Sequence, residues 1–586
     1  MRSWRLKPEP DPEVLQVLSK DLGLSPLTIR LCYQRGFEDR ASIEQFLYPK
    51  LDQLPSPFTI RDLDKGVARL VRALEQKERV LVYGDYDVDG TTGAALLTTV
   101  LRDLGFDVET VQPDRFADGY GVHAHLLEAA IARGVSVVVS VDCGITAFQA
   151  ADRMVELGVD LIVVDHHQID PEKGLPKAYA VIDPQRSDCE SGLKQLCGCG
   201  LAFFVMMGLR ARLRAEGKLA DAAIPNLKQH LDLVVIATAA DMVPLTGVNR
   251  VLVRHGLEVL RETRKPGLRA LLDVAGLSRK SLSPGSLGFV LGPRINASGR
   301  LQSASHALEL LISKDPQAAI LLAQKLEALN RERSEIQNGI WDEVRKEVED
   351  KIAGGAFQNA IVVANSEWHE GVVGIVASRV TEHFKRPAIV LSKRENDVKG
   401  SVRSWGGVDV LRAVQSCRDF LKSFGGHPYA AGVSLLHDQF ENLVNGFDRA
   451  VGELRREGPA AEAPLELEKW LKSDDLNERV LAELEMLGPF GPGNPEPVFG
   501  LAAAVADRRT LKGRHLKLTL SPVGAPKKID AIWFYGAEKK HASRVTDVPL
   551  SSSGNDTNSI SWAGTPELNR FQGRVTPSFR VKDLLE

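Results

Sequence analysis

Cysteine is scarce in this chain, with six among 586 residues. That number cannot build a disulfide framework, so we expect a protein of a reducing compartment, the cytoplasm. Runs of about 18 apolar residues are missing, which argues against a membrane-spanning protein. The opening sequence MRSWRLKPEPDPE has no apolar stretch after its positive charges, which predicts no secretory signal.

A large charge of one sign is also absent: 74 Lys and Arg residues stand against 77 Asp and Glu residues. A near-neutral total neither indicates nor excludes nucleic-acid binding, because such binding depends on a local basic groove. The hydrophobic share of 44% is ordinary for a globular protein. At roughly 150 residues per domain, the length predicts about four domains.

Short apolar runs alternate with helical patterns from residue 61 onward. The runs are Arg79–Tyr83, 135–141 and 161–164, each followed by an amphipathic segment. Continuous β-branched runs between helices are typical of a buried parallel sheet with helices on both faces. The sequence therefore predicts an α/β fold for this part of the chain.

The rest of the chain divides by composition and pattern. We predict an N-terminal helical appendage (1–60), a parallel-sheet domain (61–302) and a long connector helix (303–355). A smaller α/β domain (356–456) and a β-rich barrel or sandwich (465–586) follow. The Ala/Pro/Glu-rich stretch 457–466 predicts a linker.

Acidic residues and histidines follow the apolar runs of the first α/β unit. The first run is followed by Asp85, Asp87 and Asp89, the second by Asp142, and the third by Asp165, His166 and His167; Asp241 lies near LDLVVIATAA. The carboxyl ends of parallel strands open on one crevice, where ligands bind. We therefore expect these side chains to share a cleft. The three aspartates of DYDVD would lie on one face if that segment is extended.

Several carboxylates in one cleft repel each other and need compensation by protons or cations. Oxygen ligands with one or two histidines suit Mn²⁺ or Mg²⁺. Two such ions, roughly 3.5–4 Å apart, would activate a water for phosphoryl chemistry. Any one of these acidic residues alone would be better explained as a turn former or a helix cap, and only their combination favours a metal site.

Four motifs resemble those of the DHH phosphoesterase superfamily: GDYDVDGTTGAALL, SVDCGITA, VVDHHQ and ATAADMVPL. Further stretches resemble the single-strand-specific exonucleases of that superfamily: PDRFADGYG, GLAF, GPRINASGR, SEWHEGVVGIVASRV, SVRS, SFGGHPYAAG and FGPGNPEPVF. The similarity extends from about residue 30 to about residue 500.

The resemblance implies a role for each matching residue. The implied metal set is Asp85, Asp87, Asp89, Asp142, His166 and Asp241. His167 would touch the scissile phosphate, and Asp165 would orient the neighbouring histidines. The implied domains are a DHH domain at 61–302, a DHH-associated domain at 356–456 and a C-terminal OB-like domain.

The implied reaction is 5′-to-3′ hydrolysis of single-stranded DNA to 5′-mononucleotides, with two divalent cations, in DNA repair and recombination. The resemblance also implies a monomer that works with a helicase and a single-stranded-DNA-binding protein, and away from membranes. Two other functions remain open: a phosphodiesterase of short oligoribonucleotides or cyclic dinucleotides, and an inactive DNA-binding scaffold.

Substrate-binding candidates are basic, aromatic or glycine residues: Arg115, Tyr120, Arg294, Arg300, Arg403, Gly425, Gly426 and His427. Arginine binds phosphate through two donors, and glycine lets the backbone approach a phosphate closely. We expect Tyr120 to stack on a base, although ordinary packing is an equal alternative. The resemblance places His427 among the catalytic groups.

Cys189, Cys197 and Cys199 invite comparison with a zinc site. Their spacing is not that of structural zinc ligands and no fourth ligand is evident, so we expect reduced thiols.

Overall fold

The computed structural model describes residues 3–218, 225–394, 397–457, 464–525, 527–539, 542–547, 550, 559–571 and 574–585. Residues 458–463 of the predicted linker lie outside the described residues. Within the described ranges, none of the helices has both the length and the apolar character needed to cross a lipid bilayer.

The N-terminal segment is mainly helical. Its elements are β1 (Trp4–Leu6), α1 (Pro12–Leu22), α2 (Pro26–Tyr33) and α3 (Arg40–Leu47). Each helix has an N-cap side chain that accepts a hydrogen bond from the first turn: Asp11, Ser25 and Asp39. Such caps satisfy amide groups that have no partner inside the helix, which explains where the helices begin.

The parallel-sheet domain contains five strands and most of the helices. Its elements are α4 (Leu63–Gln76), β2 (Arg79–Gly84), α5 (Val88–Asp103), β3 (Asp107–Val111), α6 (Ala124–Ile131), β4 (Val135–Val141), α7 (Phe148–Glu156), β5 (Asp160–Val164), β6 (Ala180–Ile182), α8 (Gly198–Ala215), α9 (Leu231–Ala240), α10 (Gly247–Arg261), α11 (Pro266–Val274), α12 (Pro284–Ser286), α13 (Gly292–Leu301) and α14 (Ser305–Ile312). The sheet order is β3-β2-β4-β5-β6, and every pair is parallel.

Both faces of this sheet are covered, as the continuous apolar runs predict. Val80 and Val82 pack into the core formed with α5, α8 and α9. Leu81 and Tyr83 pack into a separate core with α6 and α7. Successive strand residues point to opposite faces, so a sheet buried on both sides needs apolar residues at every position. The predicted parallel α/β fold is confirmed.

The strand order places a switch point between β2 and β4. The chain passes from β2 to β3 on one side and then to β4 on the other side of β2. Connections that leave in opposite directions open a crevice beyond the carboxyl ends of the two strands. Asp85 and Asp142 follow these two strand ends.

One 38-residue helix, α15 (Pro316–Ala353), connects this domain to the next. Its first half places Ala319, Ala323 and Leu326 in the core of the parallel-sheet domain. Its second half places Trp341 and Val344 in the core of the following domain. The helix is thus part of both cores and fixes one relative to the other.

The second α/β unit is built on a mixed sheet. Its elements are β7 (Ile361–Asn365), α16 (Glu370–Phe384), β8 (Ala388–Lys393), β9 (Val398–Arg403), α17 (Val410–Gln415), β10 (Ser423–His427), β11 (Ala430–Leu435) and α18 (Phe440–Glu457). The order is β10-β11-β9-β8-β7, with only β7 and β8 parallel.

The C-terminal unit is a closed five-stranded barrel of order β13-β14-β15-β17-β16. Its elements are β12 (Leu465–Leu467), α19 (Glu478–Met486), β13 (Phe499–Leu511), β14 (His515–Pro522), β15 (Ile529–Trp533), α20 (Ser543–Thr546), β16 (Ile560–Phe571) and β17 (Arg574–Leu584). Ile29 and Ile43 of the N-terminal helices share its core, and β1 pairs with β12. The N-terminal helices, predicted within an appendage of residues 1–60, therefore pack as part of this unit, whereas Ile60 belongs to the core of the parallel-sheet domain.

Candidate metal centre

Asp85 and Asp87 lie in the turn from β2 to α5, and Asp89 lies in the first turn of that helix. The extended alternation expected from the sequence does not occur, because the helix begins at residue 88. Asp87 is its N-cap, and Asp87 Oδ1 accepts hydrogen bonds from the amides of Asp89 (2.9 Å) and Gly90 (3.1 Å). A Cβ at Gly90 would lie 2.6 Å from the backbone nitrogen of Asp85. Glycine is thus required for the helix to start against Asp85.

Asp89 is buried between two helix N-termini. It lies in the first turn of α5, and its carboxylate accepts hydrogen bonds from Gly198 N (2.6 Å) and Cys199 N (2.8 Å) at the start of α8. Helix N-termini favour negative charge. Burial is the largest effect on this carboxyl and raises its pKa. The two α8 amides have no side-chain signature, so sequence reasoning missed them.

Asp142 follows β4 in a left-handed conformation, with φ 63°. Aspartate and asparagine tolerate this conformation better than most residues. The side chain is buried, and its Oδ1 lies 3.1 Å from His166 Nε2. Burial, followed by the charges of Asp89 and Asp87, raises the pKa of Asp142 well above its usual value.

Asp165 organises the two histidines that follow it. Its Oδ2 accepts a hydrogen bond from Ile145 N (2.9 Å), and its Oδ1 contacts His166 N (2.8 Å) and His167 Nδ1 (2.7 Å). Burial acts to raise the pKa of Asp165, but its bond to His167 and the charge of His167 outweigh burial and lower it. Burial acts to lower the pKa of His167, yet the bond to Asp165 raises it to about 9.

Tyr120 lies at the mouth of the site. Its hydroxyl donates to the backbone oxygen of Asp142 at 3.3 Å and lies 3.2 Å from His167 Nδ1. The residue remains 47% exposed, so part of it is accessible from solvent. The hydroxyl contacts fix the ring beside His167, where the sequence predicted a base-stacking aromatic.

The acidic residues and histidines of four segments come together in one cluster. Three sets of ligand atoms each lie within 4.8 Å of one another: Asp85, Asp87 and Asp142; Asp89, His166 and Asp241; Asp142, His166 and His167. Asp241 is the C-cap of α9, and its Oδ2 lies 3.9 Å from His166 Nε2. Asp142 connects the first two sets, because its Oδ1 is also close to His166.

The residues present fit a pair of divalent cations. Two sets of three ligands supply carboxylate oxygens and one imidazole, the donors that Mn²⁺ and Mg²⁺ accept. Asp85 Oδ1 is buried and has no hydrogen-bond partner within the described part of the chain. Burial and Asp87 raise the pKa of Asp85 to about 8, and burial with Asp89 and Asp87 raises that of Asp241 to about 8. A cation in the cluster would compensate the negative charge of both buried carboxylates.

Stabilisation by Mg²⁺ is expected to increase with pH. The pKa values of Asp85 and Asp241 are raised to about 8 in the folded chain, against about 3.9 when unfolded. Between these values the metal-free folded chain holds extra protons, so its stability falls as pH rises. Bound Mg²⁺ takes the place of these protons, so the metal-bound chain does not lose this stability as pH rises. Thermal unfolding should show a larger Mg²⁺-induced rise in Tm at about pH 8 than at about pH 6; equal rises would contradict this account of the cluster.

Four arginines, each from a different segment, lie near one another beside the acidic cluster. Arg300 faces Arg115, Arg333 and Arg403, and burial together with these three charges lowers the pKa of Arg300 to about 10, against an opposing effect of Asp87. Arg300 Nη1 donates to Gly371 O at 2.9 Å, and Arg403 Nε donates to Ser378 Oγ at 3.2 Å. Since none of these contacts is to a carboxylate, the group retains positive charge that suits a phosphate.

Arg333 was missed by sequence reasoning. It lies within α15, where nothing in the charged pattern NRERSE distinguishes it from an exposed helical arginine. Its Nε is buried and has no partner among the described residues. Arg294, which the sequence did propose, instead donates to Glu327 Oε2 at 2.6 Å. Its charge is therefore already compensated.

The remaining predicted substrate residues lie at the edge of the second sheet. Gly425, Gly426 and His427 belong to the exposed edge strand β10. Within the described residues, His427 makes no side-chain hydrogen bond or ion pair. It is therefore available to substrate but is not part of the acidic cluster.

The cysteines are buried free thiols, as expected. Cys197 and Cys199 lie close to Asp89, and burial raises the pKa of both well above the usual value. Among the residues that the structure describes, no cysteine takes part in a group of metal-ligating atoms.

Comparison with known families assigns each major part of the chain. Residues 79–238 match the DHH family N-terminal domain, residues 357–453 match the DHHA1 domain, and residues 467–583 match the RecJ OB domain. These matches cover the strands of the parallel sheet, the second α/β unit and most of the C-terminal barrel.

Relatives and solved structures support the same family as the domain matches. The single-stranded-DNA-specific exonuclease RecJ of Escherichia coli is 36% identical over 547 residues, covering 89% of this chain and 91% of that protein. RecJ of Dickeya dadantii is 37% identical over 522 residues, covering 87% and 89%. The crystal structure of Thermus thermophilus RecJ with Mn²⁺ matches with a TM-score of 0.81 and 30% identity, covering all of this chain and 79% of that one.

The parallel sheet, its switch-point carboxylates and the DHH histidines define a hydrolase of the DHH family. Within that class, the chain belongs to the RecJ family of single-stranded-DNA-specific exonucleases. Solved RecJ structures from Thermus thermophilus contain Mn²⁺ or Mg²⁺, the two ions that the ligand set favours.

Proposed function

We propose that this chain hydrolyses single-stranded DNA from the 5′ end and releases 5′-mononucleotides. The observation that carries the proposal is the pair of ligand sets that meet at Asp142 and His166, directly beside the arginine cluster around Arg300. The ligand sets suit divalent cations, and the arginine cluster suits a phosphate. Their adjacency supports hydrolysis next to an anchored terminal phosphate.

The metal set comprises Asp85, Asp87, Asp89, Asp142, His166 and Asp241. Two bound cations would supply an activated water and charge stabilisation for phosphodiester cleavage. The bond from His167 Nδ1 to Asp165 leaves Nε2 of His167 for the substrate. Against the lowering effect of burial, the hydrogen bond with Asp165 raises the pKa of His167 and orients the ring, so that Nε2 would be placed to contact a phosphate oxygen.

Recognition of a single strand would rest on Tyr120 and the arginines. The ring of Tyr120 would offer a stacking surface, worth roughly 1–3 kcal/mol per base. Arg115, Arg300, Arg333 and Arg403 would hold phosphates, and Arg333 joins the set because of its unpartnered Nε. The exposed strand with Gly425, Gly426 and His427 would approach from the second domain.

The alternatives are less well supported. An inactive scaffold does not need a complete set of ligands, whereas every proposed metal position here carries a ligating side chain. A phosphodiesterase of short oligoribonucleotides or cyclic dinucleotides does not need the closed C-terminal barrel, an architecture often used for longer single strands. We further propose a cytoplasmic monomer that works in repair and recombination with a helicase and a single-stranded-DNA-binding protein.

The test is a time course on single strands labelled at either end. With Mn²⁺, a 5′ label should appear first as mononucleotide, while a 3′ label should persist in progressively shorter strands. Without metal, or on a blunt duplex, release should be negligible. Early release of the 3′ label, or cleavage restricted to dinucleotides, would reject the proposal.

Substitution of His427 should affect turnover more than affinity. His427 is exposed on β10 and makes no side-chain bond within the described structure, so His427→Ala should leave the fold intact. We expect a kcat lower by about 10²-fold, the usual range for a group that assists proton or charge transfer, and a KM within about threefold of the parent. His437→Ala, at another surface histidine of the same domain, is the control. An unchanged kcat would contradict the role.

A further inference from the structure

One loop of the C-terminal domain contacts the segment that follows Asp241. Residues 488–497, GPFGPGNPEP, connect α19 to β13; we call them the barrel loop. They lie against residues 241–246, the Asp241 arm, which follows α9. Leu245 N donates to Pro492 O at 2.7 Å. A Cβ at Gly493 would lie 3.0 Å from Pro244 Cβ and 3.2 Å from Thr246 Cγ2, so the two segments are in close contact.

The Asp241 arm has a backbone that needs outside support. Met242, directly after Asp241, has φ 56°, a left-handed conformation that a residue with a Cβ seldom adopts. Such a conformation persists when surrounding contacts determine it. The contacts here are the Leu245–Pro492 bond on one side and the buried Asn249 on the other, whose Nδ2 donates to Pro244 O at 3.0 Å.

The same contacts extend to a second metal-ligating residue. Asn249 Nδ2 also donates to Gln195 O at 2.6 Å, and Thr246 Oγ1 donates to Gln195 Oε1 at 3.1 Å. Three residues after Gln195, the amide of Gly198 donates to Asp89 at 2.6 Å. The segment that the barrel loop supports therefore connects to both carboxylates of the Asp89, His166 and Asp241 set.

The barrel loop is itself held firmly. Arg250 of α10 is buried, and its guanidinium donates to Leu487 O (2.9 Å), Gly488 O (2.9 Å) and Phe46 O (2.8 Å). Asn494 Nδ2 donates to Leu487 O and Pro489 O, each at 2.9 Å. The N-terminal helices, the parallel-sheet domain and the barrel thus meet at one fixed point.

We propose that the barrel loop is a positioning element that holds Asp241 in place and thereby sets the affinity of the Asp89, His166 and Asp241 site for its divalent cation. The inference rests on the proposed two-cation function, and it makes the C-terminal domain a structural part of the metal centre. Residues that orient a metal ligand commonly change metal affinity when they are altered.

The test uses two glycines with the same backbone geometry. Gly493 has φ 72° and contacts the Asp241 arm, whereas Gly513, in the turn between β13 and β14, has φ 71° and no described atom within 4 Å of the point where a Cβ would lie. Gly493→Ala and Gly513→Ala introduce the same backbone strain, so their difference isolates the contact. Mn²⁺ binding to the 586-residue chain is measured by calorimetry, and circular dichroism verifies folding.

We expect Gly493→Ala to bind one of its two Mn²⁺ ions about tenfold more weakly, while Gly513→Ala binds both as the parent does. In an Asp241→Asn background, adding Gly493→Ala should not weaken the remaining ion further. If Gly493→Ala fails to fold, Gly491→Ala replaces it, because its Cβ would lie 2.7 Å from Leu245 Cδ1.

Parent-like Mn²⁺ binding by the folded loop variant, or equal weakening by Gly513→Ala, would overturn the inference. A further loss of Mn²⁺ affinity when Gly493→Ala is added to Asp241→Asn would also overturn the inference, because the barrel loop would then not act through Asp241. A parent protein that binds no Mn²⁺ would instead contradict the proposed function, so the two failures can be distinguished.

Discussion

Asp142→Asn is expected to lower the rate of single-strand hydrolysis by at least about 10³-fold without loss of the fold. Asp142 connects the two ligand sets, with its Oδ1 3.1 Å from His166 Nε2. Asparagine suits the left-handed backbone at φ 63° and preserves the side-chain shape, so the change removes mainly charge. The measurement is the initial rate of nucleotide release at saturating Mn²⁺.

The matched control for this variant is Asp62→Asn. Asp62 has the same φ of 63° and lies at the start of α4, where it pairs with Arg186 instead of contacting the acidic cluster. It should retain hydrolysis within about threefold of the parent. A folded Asp142→Asn protein with near-parental activity would contradict the role of the bridging carboxylate.

Arg300→Gln should weaken binding of a 5′-phosphorylated strand by about 10- to 100-fold, the loss expected for a charge-assisted hydrogen bond. Arg300 lies among Arg115, Arg333 and Arg403, and the cluster lacks a carboxylate contact that would neutralise it among the residues described. The expected loss is smaller for a strand with a 5′-hydroxyl. Binding of both strands is measured at constant ionic strength, because phosphate contacts depend on salt.

Arg294→Gln provides the control from the same helix. Arg294 is paired with Glu327, and Glu327 also contacts Arg331, so the substitution leaves that carboxylate paired. It should change binding of either strand by less than about threefold. If Arg294→Gln and Arg300→Gln weaken binding equally, the phosphate site is not where we place it.

The fold class and the acidic cluster could be predicted because both follow from local patterns. A strand that is buried on both faces must be apolar at every position, as in the run from Val80 to Tyr83. Polar residues directly after such strands then have one location, the crevice at the carboxyl edge. Asp85, Asp142 and Asp165 follow this rule, so the sequence indicated their proximity without any long-range information.

The barrel and the N-terminal segment were less predictable. The strands β16 and β17 contain Pro566 and Pro577, residues that normally argue against a strand, and the last forty residues gave no clear pattern. The N-terminal helices show their own caps and apolar faces, but nothing local indicates that Ile29 and Ile43 pack against a barrel more than 400 residues away.

The finer features of the site depend on contacts between distant segments. Gly198 and Cys199 bind Asp89 through backbone amides, which nearly every residue has, so no side-chain pattern reveals them. Arg294 and Arg300 look alike in GPRINASGR, and only the position of Glu327 on the connector helix separates them. Likewise, the sequence allowed a helix cap at any of the three aspartates of DYDVD, and the structure identifies Asp87 as that cap.

Anomalous scattering from crystals grown with Mn²⁺ tests the central claim most directly. We predict two manganese peaks roughly 3.5–4 Å apart, one contacting Asp85, Asp87 and Asp142 and the other contacting Asp89, His166 and Asp241. A fully occupied crystal with a single peak, or with manganese bound only outside these six side chains, would contradict the account.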